Sequence, residues 1–158
     1  MRKFTAHYLI SDTGVFLKNG IAILGVDGFI ARFIDIQGDL KEVEQLIFYN
    51  GILMGGCLFT KTNASQPIST SDNPFHAWVL QSVGETTQFS IQNLVDLGKQ
   101  LQLQFPRMKI PEIMNEISEI LLAEGEFLKE ANPGIYLLTG VDLRELHFTP
   151  HTRLKKIL

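Results

Sequence analysis

Cysteine is almost absent: Cys57 stands alone among 158 residues. That excludes an internal disulfide framework and any thiolate-rich zinc site. An excess of basic charge is also missing. Fourteen Lys and Arg face 17 Asp and Glu, a net charge of −3. A nonspecific nucleic-acid binder needs a basic surface to displace counterions, so a nucleic-acid partner is not expected. No apolar run approaches the roughly 20 residues of a membrane helix, so a membrane partner is not expected either. The basic start Met1-Arg2-Lys3 leads into Phe4–Ile10, but Thr5, His7 and then Ser11-Asp12 interrupt it. That is not the pattern of a secretory signal, and the expectation is a soluble, cytoplasmic protein.

What is present suffices for one domain with a core, since 45% of the residues are hydrophobic and 20% charged. The chain reads as three zones, with no internal repeat. The first is strand-like. Phe4–Ile10 alternates, with Ala6, Tyr8 and Ile10 opposite Thr5, His7 and Leu9. Lys18-Asn19-Gly20 predicts a turn, Ile21–Leu24 a strand, and Val26-Asp27-Gly28 a tight hairpin before the return strand Phe29–Ile36. A short helical turn is expected at Leu40–Gln45, then two strands around an Asn50-Gly51 turn within Leu46–Met54. Several short strands joined by glycine turns suggest an antiparallel sheet or half of a sandwich.

The second zone, residues 60–74, is read as a linker, because Ala64 and Ile68 are its only apolar side chains besides proline. The third begins at Trp78-Val79-Leu80 and turns helical over residues 89–124. Ile91, Leu94, Val95, Gly98, Leu101 and Phe105 share one stripe of a helix Ser90–Phe105, with Ser90 as N-cap and Pro106 as stop. Pro111 opens a second helix, Pro111–Glu124, whose apolar face is Ile113, Met114, Ile117, Ile120 and Leu121, and Gly125 ends it. After Asn132-Pro133-Gly134 come strands at Ile135–Thr139, Leu146–Phe148 and Arg153–Leu158. The order strands, helices, strands predicts an α+β fold with terminal strands sharing a sheet.

The chemistry-bearing residues are scattered. Of His7, His76, His147 and His151, no pair has metal-ligand spacing on a regular element, and Pro150 interrupts the closest pair. His7 reads as a partly exposed sheet residue, and Cys57 as a structural thiol. Gly55-Gly56 resembles a glycine-rich loop, but no Lys-Ser/Thr follows. Glu112, Glu116 and Glu119 read as a solvated helix face. Arg107 and Lys109 at the inter-helix joint are too few for a DNA-reading helix-turn-helix beside so acidic a second helix. The residues alone predict no catalytic site, no metal and no cofactor.

A resemblance adds to this. Lys18-Asn19-Gly20-Ile21-Ala22-Ile23, Asp27-Gly28-Phe29-Ile30 and Phe48–Gly56 resemble the N-terminus of metal-dependent amidohydrolases, in the group holding cytosine deaminase, guanine deaminase and chlorohydrolase-like enzymes. Gly125-Glu126-Phe127 and Pro133–Asp142 look like that family's C-terminal return, and Phe89–Leu122 is similar to its last barrel helices. The resemblance implies a single domain, 1–158, in which residues 1–56 and 133–158 form a composite-domain β-sandwich carrying two packed helices. Where the family holds its catalytic metal with a His-X-His pair, this chain has Lys61-Thr62-Asn63. Where the family has a proton-moving Asp, it has Gln81. A protonated lysine has no lone pair for a metal, and an amide is no general base. A (β/α)8 barrel needs about 250 residues by itself, so no barrel is expected.

The resulting expectation is a catalytically degenerate, amidohydrolase-like protein with a scaffold or protein-binding role. The alternative is a metal-dependent hydrolase of carbon–nitrogen bonds, completed by a partner. A sandwich face that meets a barrel in the family would otherwise be exposed and apolar, so homodimerisation is expected to cover it. A chain opening at Met1 and closing in a strand is read as a complete short product.

Overall fold

The computed structural model describes residues 2–11, 15–35, 46–61, 74–84, 86–122 and 127–158. The elements in chain order are β1 (Arg2–Ile10), β2 (Phe16–Lys18), β3 (Ile21–Leu24), β4 (Ile30–Ile34), β5 (Leu46–Lys61), α1 (Pro74–Val83), β6 (Gln88–Ser90), α2 (Ile91–Gln104), α3 (Ile110–Leu122), β7 (Phe127–Thr139) and β8 (Arg153–Lys156). The fold is mixed α+β with a largely sheet core, and among the described residues there is no eightfold barrel and no sheet closure. No helix among them is long and apolar enough to cross a membrane. The chain divides into two compact units, Met1–Gly56 with Ala131–Leu158, and Cys57–Glu130. The long strands β5 and β7 each contribute residues to both.

In the first unit the strands follow the order β4-β3-β1-β5-β7-β8, with β2 also paired to β1. The expected antiparallel arrangement needs one correction, because β1 and β5 run parallel, Phe4 opposite Ile47 and Leu9 opposite Leu53. A parallel pair needs a long crossover rather than a hairpin, and here β2, β3 and β4 lie within the intervening chain. β1 is therefore a central strand. Its Phe4, Thr5 and Ala6 are buried in succession, so the expected alternation of exposed and buried faces fails there. Thr5 tolerates this because its hydroxyl donates to the Gly20 carbonyl at 2.7 Å. Phe4, Ala6 and Leu9 join Leu17, Ala22, Leu24, Leu53, Ile135 and Leu137 in one apolar cluster. Each large side chain in it contributes about 1.5–3 kcal/mol by leaving water.

Two turns expected from the sequence do not reverse the chain, and a third glycine-containing stretch lies within a strand. At Asn19-Gly20 the strands on either side keep one register along β1, Thr5 opposite Ile21 and Tyr8 opposite Lys18. Asn19 takes φ 55°, and its N–H still bonds the His7 carbonyl at 3.1 Å; asparagine accepts that backbone at little cost. At Asn50-Gly51, β5 runs straight on as one 16-residue strand. Between Ala6 opposite Tyr49 and Tyr8 opposite Ile52, β5 spends three steps against two on β1, which is a β-bulge. Asn132-Pro133-Gly134 likewise lies inside β7. Only Asp27-Gly28 turns back as predicted. There the Gly25 N–H bonds the Phe29 carbonyl at 2.9 Å and the Asp27 carboxylate accepts from the Phe29 N–H at 3.1 Å.

The strand expected at Leu146–Phe148 is a tight turn instead. Asp142 and His147 form an isolated bridge across it, and Leu146 takes φ 57°. The helical turn expected at Leu40–Gln45 lies outside the described residues. Of the expected linker, Thr60 and Lys61 belong to β5 and Pro74 to α1, while residues 62–73 lie outside the described residues.

In the second unit a helix appears that the composition obscured. α1 buries Phe75, Val79 and Val83, one face at four-residue spacing. α2 begins where β6 ends: the Ser90 hydroxyl accepts from the Asn93 N–H at 3.3 Å and the Asn93 side chain accepts from the Ser90 N–H at 3.0 Å. This reciprocal cap satisfies two otherwise orphaned donors. α2 stops at Gln104 before Pro106, and α3 packs against both α2 and α1. The Gln102 side chain donates to the Met108 carbonyl at 3.0 Å, tying the connection, and the Phe75 and Phe105 rings meet edge to face at 5.5 Å. β6 pairs antiparallel with the end of β5, Phe59 opposite Phe89.

Candidate functional site

The bulge in β5 positions the most elaborate histidine environment of the first unit. Gly51 sits at φ 139°, and a Cβ there would collide with the Leu138 carbonyl oxygen. Its N–H is directed at His7 Nδ1, 3.4 Å away, and the His7 ring meets the Phe48 ring edge-on at 5.2 Å. An Nδ1 that accepts is unprotonated, so the remaining proton of a neutral ring lies on Nε2. His7 thus serves the sheet, half-buried as the sequence suggests. Phe48 and Ile47 beside it are exposed, at 47% and 44%.

The other histidines are dispersed. His76 is half-buried on α1, His147 closes the turn opposite Asp142, and His151 is exposed in the turn before β8. Among the described residues, no three His, Cys, Asp or Glu side chains are grouped to hold a metal ion. Gly55 and Gly56 are mid-strand residues, and added side chains would press on Ile30 and on the Asn132 carbonyl. Their role is close packing.

Cys57 is half-buried on β5. Burial pushes its thiol up from the ordinary range, and the Lys129 charge partly opposes this. Lys129 itself lies over the Phe59 ring, 5.9 Å from its centre. A raised thiol is a poor nucleophile at neutral pH.

The positions that the resemblance aligns with metal chemistry fall on ordinary structural duties. Lys61 ends β5, its backbone N–H bonded to the Thr87 carbonyl at 2.7 Å. Gln81 is exposed on α1, and Asn63 lies outside the described residues. Glu112, Glu116 and Glu119 are exposed on α3, and Arg107 and Lys109 are exposed between the helices.

Two features escape sequence reasoning. The Asp142 carboxylate accepts from the N–H groups of Glu145 and Arg144, each at 3.0 Å. The Glu145 bond, the largest effect, together with the Arg144 bond and the His147 and Arg144 charges, holds this carboxyl below the usual range and outweighs desolvation, the second largest. The other is β8, the last strand of the sheet order, whose residues Arg153, Lys155 and Lys156 are all exposed. Their closeness is plain in the sequence; that they lie at a sheet edge is decided by the strand order. No family model, no curated protein and no solved structure matches this chain.

Proposed function

We propose that the chain is a catalytically degenerate, amidohydrolase-like protein that acts by binding other proteins, with the terminal strands forming a composite-domain β-sandwich. The observation that carries the reading is the placement of Gln81. The position aligned with a proton-moving Asp holds a neutral amide exposed on α1, and an amide is no general base. Lys61, aligned with a metal-binding His, is likewise a strand-end residue whose cationic head repels a metal ion.

Ile47 and Phe48 are both exposed on β5, and as successive strand residues they face opposite sides of the sheet. Elemental analysis of purified protein tests the reading against the hydrolase alternative. The expected result is zinc and iron well below one ion per chain. Stoichiometric metal retained through dialysis would sink the degenerate reading.

A further inference from the structure

We propose that the edge of β8, unpaired among the described residues, receives an extended, acidic segment of a partner protein as an added strand. This names the partner chemistry of the protein-binding reading above and rests on it. β8 pairs on one side with β7, Tyr136 opposite Lys156 and Thr139 opposite Arg153, and it ends the strand order on the other. Three of its four residues are cationic and exposed. The Arg153 guanidinium donates only to the Thr152 carbonyl, 3.1 Å away, and among the described residues neither it nor Lys155 or Lys156 is paired with a carboxylate. In a chain of net charge −3, such a concentration of unneutralised cations on one strand is local and specific.

The edge offers two things together. Its outward N–H and C=O groups select a peptide in extended form over any ligand without a backbone. Its side chains alternate, Arg153 and Lys155 to one face and Lys156 with half-buried Leu154 to the other. An incoming strand carrying Asp or Glu opposite the cations and an apolar residue opposite Leu154 meets both requirements. The two described sheet edges of a second copy do not. Pairing β8 with β8 sets cation against cation, and the opposite end of the strand order, β4, reads Ile-Ala-Arg-Phe-Ile and has no acid. The proposed occupant is an acidic strand of another protein.

Fluorescence anisotropy of the full chain against a labelled peptide alternating Glu with Val tests this. Saturable binding is expected, with none to the Lys–Val counterpart. Lys155→Glu with Lys156→Glu should weaken it by about tenfold. The milder pair Lys155→Gln and Lys156→Gln should weaken it less, which covers the case in which charge reversal disturbs folding. N-methylating alternate peptide amides separates strand addition from simple attraction. Loss of binding supports the added strand, while unchanged binding, like binding equal to that of inorganic polyphosphate, overturns it. No binding by the acidic peptide also overturns it. That failure leaves the protein-binding reading standing wherever metal remains substoichiometric, so the two ideas fail on different measurements.

Discussion

At the scale of single residues, the sheet depends on one backbone conformation. Gly51 takes φ 139° and approaches the Leu138 carbonyl so closely that no Cβ fits. Gly51→Ala is expected to destabilise the protein by at least about 3 kcal/mol, combining backbone strain and collision; urea unfolding measures it. Cys57 gives a chemical prediction. Because burial raises its thiol, the thiolate fraction at pH 8 is smaller than that of a free thiol, and alkylation should be slower than that of a small thiol and still climbing above pH 9. Lys129→Ala removes the opposing charge and should slow it further. Asp142 titrates in the other direction. Its folded carboxyl lies below the usual value, so its contribution is present above the unfolded pKa of about 3.9 and is lost as pH falls through the lower folded value. The amide resonances of Arg144 and Glu145 should therefore titrate with a midpoint below that of a free aspartate.

At the scale of elements, helix signals and strand signals differ in how far they can be read. α2 and α3 were legible because capping and a repeating apolar stripe are local properties. Ser90 is the cap and Pro106 the stop that the sequence predicts. Ser90→Ala should cost about 1 kcal/mol, readable in the same urea transition. Ile117, fully buried between α3 and its neighbours, should cost about 2–5 kcal/mol as alanine. α1 carried its own signal, Phe75, Val79 and Val83 at four-residue spacing, but the expected linker reached Pro74 and the helical reading began only at residue 89. Asn-Gly pairs misled for a different reason. The same dipeptide serves a hairpin turn and an in-strand bulge, and only the neighbouring strand's register decides which. Asn19-Gly20 and Asn50-Gly51 have continuous partners along β1, whereas Asp27-Gly28 has none and turns.

At the scale of the whole molecule, the mixed α+β class and the lack of room for an eightfold barrel followed from length and the order of patterns. The candidate site was less legible. Dispersal of the four histidines could be inferred from spacing, but the cationic edge of β8 exists only because the sheet ends there. If a second copy covers Phe48, light scattering should return the mass of a dimer at micromolar concentration, and Phe48→Glu should return a monomer, since a charge at an apolar contact opposes burial.

Composition and periodicity by themselves determined the class of fold, the two amphipathic helices, the cap at Ser90 and the hairpin at Asp27-Gly28, because each depends on residues close together in the chain. The tertiary structure alone decided that β1 and β5 run parallel, that Asn50-Gly51 becomes a bulge, and which strand is left at the border. Those outcomes arise from pairing between segments tens of residues apart, and no local pattern encodes which neighbour a strand will find.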